Sequence, residues 1–360
     1  MNFQEALDFS GLQIQKQYPK KHKFPLLKLP KVVLLECIEN LDVLEIIPFS
    51  LLSKRAKTIA KLICWSPLDI CFRFNRTLQI CLKLSTDPDR KWIINYKTNY
   101  KTEKYPYYIF EKSDSSVSHH FVLNDNGNPA EDSKRMVEHI CDVFRSPISD
   151  FHIFDESFIE WIINFQPIIR NVLIPNYVVR SIETLDRILK NLKVTENFHL
   201  GSIKTDEKYT EPISSRSVTI KDSFWITLPS IINGTNSIIY LYNSIFTPND
   251  LNTILKEWRM GIKLRNLEFL VINISTMLDW GRFTDEVFKD LNPTESNKNV
   301  GRPTKVKIDD EITYTLGEEE EYVNLIRSDG MIGSVFNEYA GNDGEKIFRR
   351  FMLQVWRRQP

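Results

Sequence analysis

Residues 24–57 read FPLLKLPKVVLLECIENLDVLEIIPFSLLSKRAK. From Phe24 to Ile63, 23 of 40 side chains are hydrophobic, against 42% for the whole chain. Lys31, Glu36, Glu39, Asp42, Glu45 and Lys54 break the run, so it is not a bilayer-spanning helix. The spacing is helical. Leu34, Cys37, Ile38 and Leu41 fall at i, i+3, i+4 and i+7, one face of a helix entered through Pro30. Asp42 with Glu45 three residues on is a capping pair and predicts a second helix. Ser53 caps a third, with Ala56, Ile59, Ala60 and Ile63 as its apolar face and Lys54, Arg55, Lys57 and Lys61 left to solvent. Pro48 falls inside the second helix, where the lost bond to the Leu44 carbonyl costs about 3 kcal/mol, and it predicts a kink or a late start. Three short helices cannot bury so many apolar groups among themselves. The surplus surface is expected to meet a partner.

The composition narrows the function classes. Lys+Arg and Asp+Glu are balanced at 47 each in 360 residues, so no global field draws in nucleic acid or an anionic membrane. Five cysteines (Cys37, Cys64, Cys71, Cys81, Cys141) form no C-x-x-C and no zinc spacing with histidine. They read as reduced thiols of a cytoplasmic or nuclear protein. The first 23 residues lack the apolar centre of a signal peptide. No phosphate-cradling glycine run, nucleophile elbow or metal motif places any of the six histidines, which implies no catalytic, cofactor or metal residues. His119-His120 reads as a solvated loop. Gly301-Arg302-Pro303 resembles the core of a minor-groove reader but lacks the second basic arm, and with zero net charge this argues against DNA binding.

Beyond the opening helices, residues 67–145 read as a β-rich connector. Runs at Phe72–Phe74, Leu78–Leu84, Trp92–Tyr96 and Tyr105–Phe110 precede a turn at 124–129 and a helix near 131–145. Residues 146–290 carry a repeating pattern. The stripe Phe158-Trp161-Ile162-Phe165 returns as Leu185-Ile188-Leu189-Leu192 and as Leu251-Ile254-Leu255-Trp258, with a shortened copy at Leu228-Ile231-Ile232. Short strand-like runs at 151–154, 171–174, 198–200, 218–220, 238–241 and 267–274 lie before or between these helices. Their spacing of roughly 20 to 31 residues fits an irregular leucine-rich-repeat-like α/β solenoid. A doubly wound α/β domain has the same element order but is disfavoured by the lack of a glycine-rich strand–helix turn. A solenoid would leave an extended strand-side face for a protein ligand, with Val218 and Ile220 turned inward. Residues 291–321 read as a polar loop containing a solvated acidic run at 318–321. Residues 322–360 read as closing strands, hinged at Asp329-Gly330 and packing on the solenoid.

The opening stretch resembles an F-box, and is closest to nematode-type F-box proteins, whose box begins F-P-L-L-x-L-P and ends S-x-x-S-K-R-A. NSIFTPNDLNTILKEWRMG at 243–261, followed by NLEFL at 266–270, is similar to the F-box-associated domain of the same family, and QVWRRQP resembles its terminal strand. The resemblance implies an α+β and α/β chain: a three-helix F-box at 24–66, the connector, and the repeat-like associated domain. It implies docking on a Skp-type adaptor, and through it on a cullin, by Leu29, Pro30, Leu34, Ile38, Leu41, Phe49 and Leu52. The function implied is non-enzymatic: recruitment of an unidentified protein substrate to a ubiquitin ligase. Lys31 stands where many F-boxes carry an acid. With Pro48 it motivates the alternative of a scaffold or nuclear interaction module that no longer engages the ligase.

Overall fold

The computed structural model describes residues 26–63, 68–75, 77–84, 86–97, 107–112, 117–124, 128–276, 279–295, 301–308, 313–316, 322–343 and 346–357. The N-terminal extension at 1–23 and the acidic run at 318–321 lie outside them. The chain divides into two compact units, Met1–His152 and Ile153–Pro360.

In the first unit a 3₁₀ turn, Leu26–Lys28, leads into α1 (Lys31–Glu39), α2 (Val43–Leu51) and α3 (Lys54–Ala60). The Asp42 carboxylate accepts from the Leu44 N–H at 3.0 Å, while Glu45 accepts from the Asp42 N–H at 2.7 Å. Ser53 Oγ accepts from the Ala56 N–H at 3.1 Å. Pro48 does not delay α2, which begins at Val43 and runs through the proline to Leu51. The forfeited bond is offset by burial of Val43, Leu44, Ile46, Ile47 and Phe49, each worth about 1.5–3 kcal/mol.

Six strands follow: β1 (Leu68–Asn75), β2 (Thr77–Leu84), β3 (Asp87–Lys97), β4 (Tyr107–Lys112), β5 (Val117–Asn124) and, after α4 (Pro129–Phe144), β6 (Ile148–His152). They pair in the order β6-β1-β2-β3-β5-β4. Two expectations need correcting. His119 and His120 are not in a loop but on β5, in parallel register with Trp92 and Ile93 of β3. The run near 151–154, read as the first strand of the repeat, is β6, which pairs in parallel with β1 of the first unit. Phe72 and Phe151 stack there with centroids 5.2 Å apart. Alternating polarity hid β5, because its two histidines sit among serines and the strand is only half-buried.

The second unit runs α5 (Ser157–Phe165), β7 (Ile168–Ile174), α6 (Ile182–Asn191), β8 (Lys193–Leu200), β9 (Ser217–Ile220), α7 (Leu228–Ile232), β10 (Ile238–Ser244), α8 (Pro248–Met260), β11 (Phe269–Thr276) and α9 (Trp280–Val287). Strands β7 to β11 are parallel and lie in sequence order. The order never reverses, so right-handed crossovers put the connecting helices on one face. Neighbouring helices touch within the pairs α5–α6, α7–α8 and α8–α9. Two of these helices start on local caps: Ser181 Oγ caps α6 through the Thr184 N–H at 3.1 Å, and Thr247 with Asp250 forms a full capping box on α8. Under the helices, Val172, Phe198, Val218, Ile239, Leu270, Leu353 and Val335 form one row across the sheet, all buried.

The C-terminal elements are β12 (Thr294–Glu295), β13 (Lys305–Lys307), β14 (Thr313–Thr315), β15 (Tyr322–Ile326), β16 (Met331–Asp343) and β17 (Lys346–Arg357). The closing strands extend the sheet rather than packing across it. β17 pairs antiparallel with β11, and β16, β15 and β12 follow outward. Gly330 (φ +84°) takes the left-handed position of the β15–β16 turn. Gly333 is required by close approach, since a Cβ there would lie 2.7 Å from Trp258 Cη2. The strand-side face is not free along its length. A strap formed by 301–308 and 313–316, including the separate β13–β14 pair, lies over it. Val306, Ile308 and Leu316 pack with Ile238, Tyr240, Phe269, Val271, Phe336 and Met352. The polar composition of 291–321 concealed these alternating apolar anchors.

Candidate functional site

The seven residues assigned to a docking surface divide into two groups. Leu34, Ile38 and Phe49 are 2%, 0% and 4% exposed and form the inside of the helical cluster, so they act by holding its shape. Leu29, Leu41 and Leu52 are half-buried and Pro30 is exposed. Sequence reasoning missed two exposed apolar residues of α1, Val32 at 76% and Val33 at 44%. The signal was available: both lie off the buried stripe of α1, and two adjacent valines on the outer side of an amphipathic helix have no place in its own core.

This helical face is held by contacts within the first unit. The carboxylate that caps α2 also accepts from Trp92 Nε1 of β3 at 2.9 Å, with Arg90 at 3.9 Å. Ser50 on α2 pairs with His139 Nε2 on α4 at 2.6 Å, and the Ser50 hydroxyl also lies 2.6 Å from the Ile47 carbonyl. Lys57 of α3 and Lys61, its C-cap, both reach Asp142 on α4, and hydrogen bonds from these lysines hold its carboxyl below the usual range. Burial, reinforced by Lys57, pushes His139 down to about 4, so it is neutral at physiological pH. The helices are thereby fixed on the β-rich layer behind them.

Three of the thiols are not activated. Burial pushes the Cys71 and Cys81 thiols up and takes Cys141 to about 12, so none is a thiolate nucleophile. Among the described residues no cluster of histidine, cysteine and carboxylates could hold a metal ion. Arg302, the reading residue of the minor-groove resemblance, is 5% exposed. Its guanidinium lies between Tyr322 and Phe336, 4.9 and 4.8 Å from the ring centroids, and it donates to Gln354 Oε1 at 3.3 Å. It pins the strap and is withdrawn from any groove.

Residues 26–65 match the family model of the F-box domain, and residues 212–272 match that described as F-box associated. The chain carries an F-box and an F-box-associated domain. No curated protein and no solved structure matches it. The F-box match spans α1 to α3, and the F-box-associated match spans β9, α7, β10, α8 and the start of β11. Both families are adaptor and interaction modules. The strap and the closing strands lie beyond the second match. No helix among the described residues is long and apolar enough to cross a membrane.

Proposed function

We propose that the chain is a substrate-recognition subunit of a Skp–cullin–F-box ubiquitin ligase, working in the cytoplasm or nucleus. The observation that carries this reading is the F-box match on α1 to α3, joined to an outward apolar face that the unit does not cover. Pro30, Val32 and Val33, with Leu29, Leu41 and Leu52 beside them, would meet the adaptor. Leu34, Ile38 and Phe49 would keep that face rigid. The second unit, read as an irregular solenoid-like platform of parallel strands, would hold a protein substrate. The mechanism is proximity: a tethered substrate lysine is presented at raised effective concentration to an activated ubiquitin supplied by the assembly, and this chain breaks no bond.

The test is co-expression with a Skp-type adaptor followed by size-exclusion chromatography. Wild type is expected to elute as a complex. Val32→Asp places a charge in the contact, and we expect it to weaken capture by about 2 kcal/mol, roughly 30-fold, with an unchanged melting temperature. A soluble wild-type chain that never binds the adaptor would sink the reading. The scaffold alternative leaned on Lys31 and Pro48. Lys31 is exposed at the first position of α1, and α2 accommodates Pro48 as an uninterrupted helix, so neither favours it.

A further inference from the structure

The strap covers only part of the strand-side face of the second unit. Beside it runs an open stripe. Leu173, His199 and Thr219 stand in one register row with the buried Tyr240, and all three keep solvent exposure. Tyr242 is two residues further along β10 and stacks on Tyr240, with centroids 6.5 Å apart and planes at 15°. Arg350 lies opposite Asn273 of β11, on the face that carries Val271 and Met352. Lys221 follows the end of β9 and is exposed, and its charge reaches His199, whose own pKa is lowered by burial first and by this lysine second.

The charges here are unbalanced. Glu338 is taken by Arg350 at 3.1 Å, Glu268 by Arg216 at 3.2 Å, and Asp222 accepts from Asn243 Nδ2 at 2.6 Å. Lys221, and Lys305 on the outer side of the strap, are exposed and have no ion pair among the described residues. An exposed cation beside half-buried leucine and tyrosine groups matches a ligand that alternates carboxylates with apolar or aromatic side chains. A polyanionic nucleic acid would call for a broader basic field than a chain of balanced charge offers.

The geometry points to this stripe, from Leu173 and His199 through Thr219 and Lys221 to Tyr242 and Arg350, as the docking site for an acidic, aromatic-containing peptide segment of the substrate. The inference rests on the substrate-recruiting reading above and deepens it. Carboxylates would sit toward Lys221 and Lys305, and an aromatic or leucine side chain would lie on Tyr242 and Leu173. The strap would form one wall of the site.

Fluorescence anisotropy with the full chain tests it, using a fluorescein-labelled octapeptide of alternating glutamate and tyrosine, its lysine–tyrosine counterpart, and a labelled oligothymidylate. The glutamate peptide is expected to bind, and to weaken as salt rises. Lys221→Glu should weaken it about tenfold, and Lys221→Glu with Lys305→Glu should weaken it further. Lys190→Glu, on the outside of α6, should leave it unchanged. Both altered lysines are exposed, so the variants are expected to fold, and matching melting curves check this. Equal binding of the lysine peptide, stronger binding of the oligothymidylate, or insensitivity to Lys221→Glu would each overturn the proposal. Adaptor capture is measured on the same preparations. Its loss with peptide binding intact refutes the ligase reading alone, and the reverse result refutes the stripe alone.

Discussion

Val32 on α1 is 76% exposed, whereas Trp258 on α8 and Phe269 on β11 are fully enclosed. The two units treat apolar surface in opposite ways. The F-box unit has capped helices, a rigid backing, and valines left over on its outside. The parallel sheet of the second unit buries one face under its helices and part of the other under the strap, so that what it leaves open is mixed and charged. A surplus apolar face suits a single constant partner, and a mixed face suits discrimination among ligands. On the proposed reading, the difference separates a docking task from a recognition task within one chain.

The largest expected effect tests whether the two surfaces rest on separate cores. Trp258→Ala removes a fully buried ring that fills the space left by Gly333, and should cost about 3–5 kcal/mol. Thermal unfolding should show the second unit melting early while adaptor capture at low temperature persists. Loss of capture in step with that melt would end the comparison. A smaller effect is expected at Asp42, which serves both as helix cap and as acceptor for Trp92. Asp42→Ala should cost about 1–2 kcal/mol in a urea titration. Asp42→Asn keeps an acceptor oxygen and should recover most of it; equal losses for both variants would mean the charge, and not the hydrogen bonds, matters.

The smallest effect is set by pH. The folded His139 has its pKa pushed down to about 4, below the ordinary value of 6.5. Between these values the unfolded chain binds more protons than the folded one, so stability rises with pH across the window and is lost as pH falls from 6.5 toward 4. Asp142 opposes the shift, while Lys57 and Lys61 support it. The partly exposed position keeps the loss to about 1 kcal/mol. His139→Gln should flatten this part of the pH–stability curve, and an unchanged slope would assign it to other groups.

Much of this was legible because the signals were local. Asp42-Glu45 and Ser53 announced helix starts through their own hydrogen bonds, and the buried stripe of α8 was visible in its spacing. The partner of β6 could not be read from sequence, since Phe151 pairs with Phe72, 79 positions earlier. The strap escaped for the same reason: Val306, Ile308 and Leu316 are unremarkable among lysines and threonines until Phe269 and Met352 lie beneath them. On α1, periodicity found the residues that shape the helix and overlooked Val32 and Val33, because a stripe rule reports what turns inward.

The strap's fastening carries one more consequence. Among the described residues it makes no backbone hydrogen bond to the large sheet. Besides its apolar anchors it is held by side-chain groups: Gln354 donates to the Pro303 carbonyl at 2.7 Å, Arg216 to that of Ile308 at 3.3 Å, and Arg302 is clasped between rings. A segment attached this way asks for a few anchors and leaves the identity of its outward residues Lys305, Thr313 and Thr315 unspecified by the fold. Related chains could rewrite those three positions generation after generation, and so change what they capture, without renegotiating the sheet underneath.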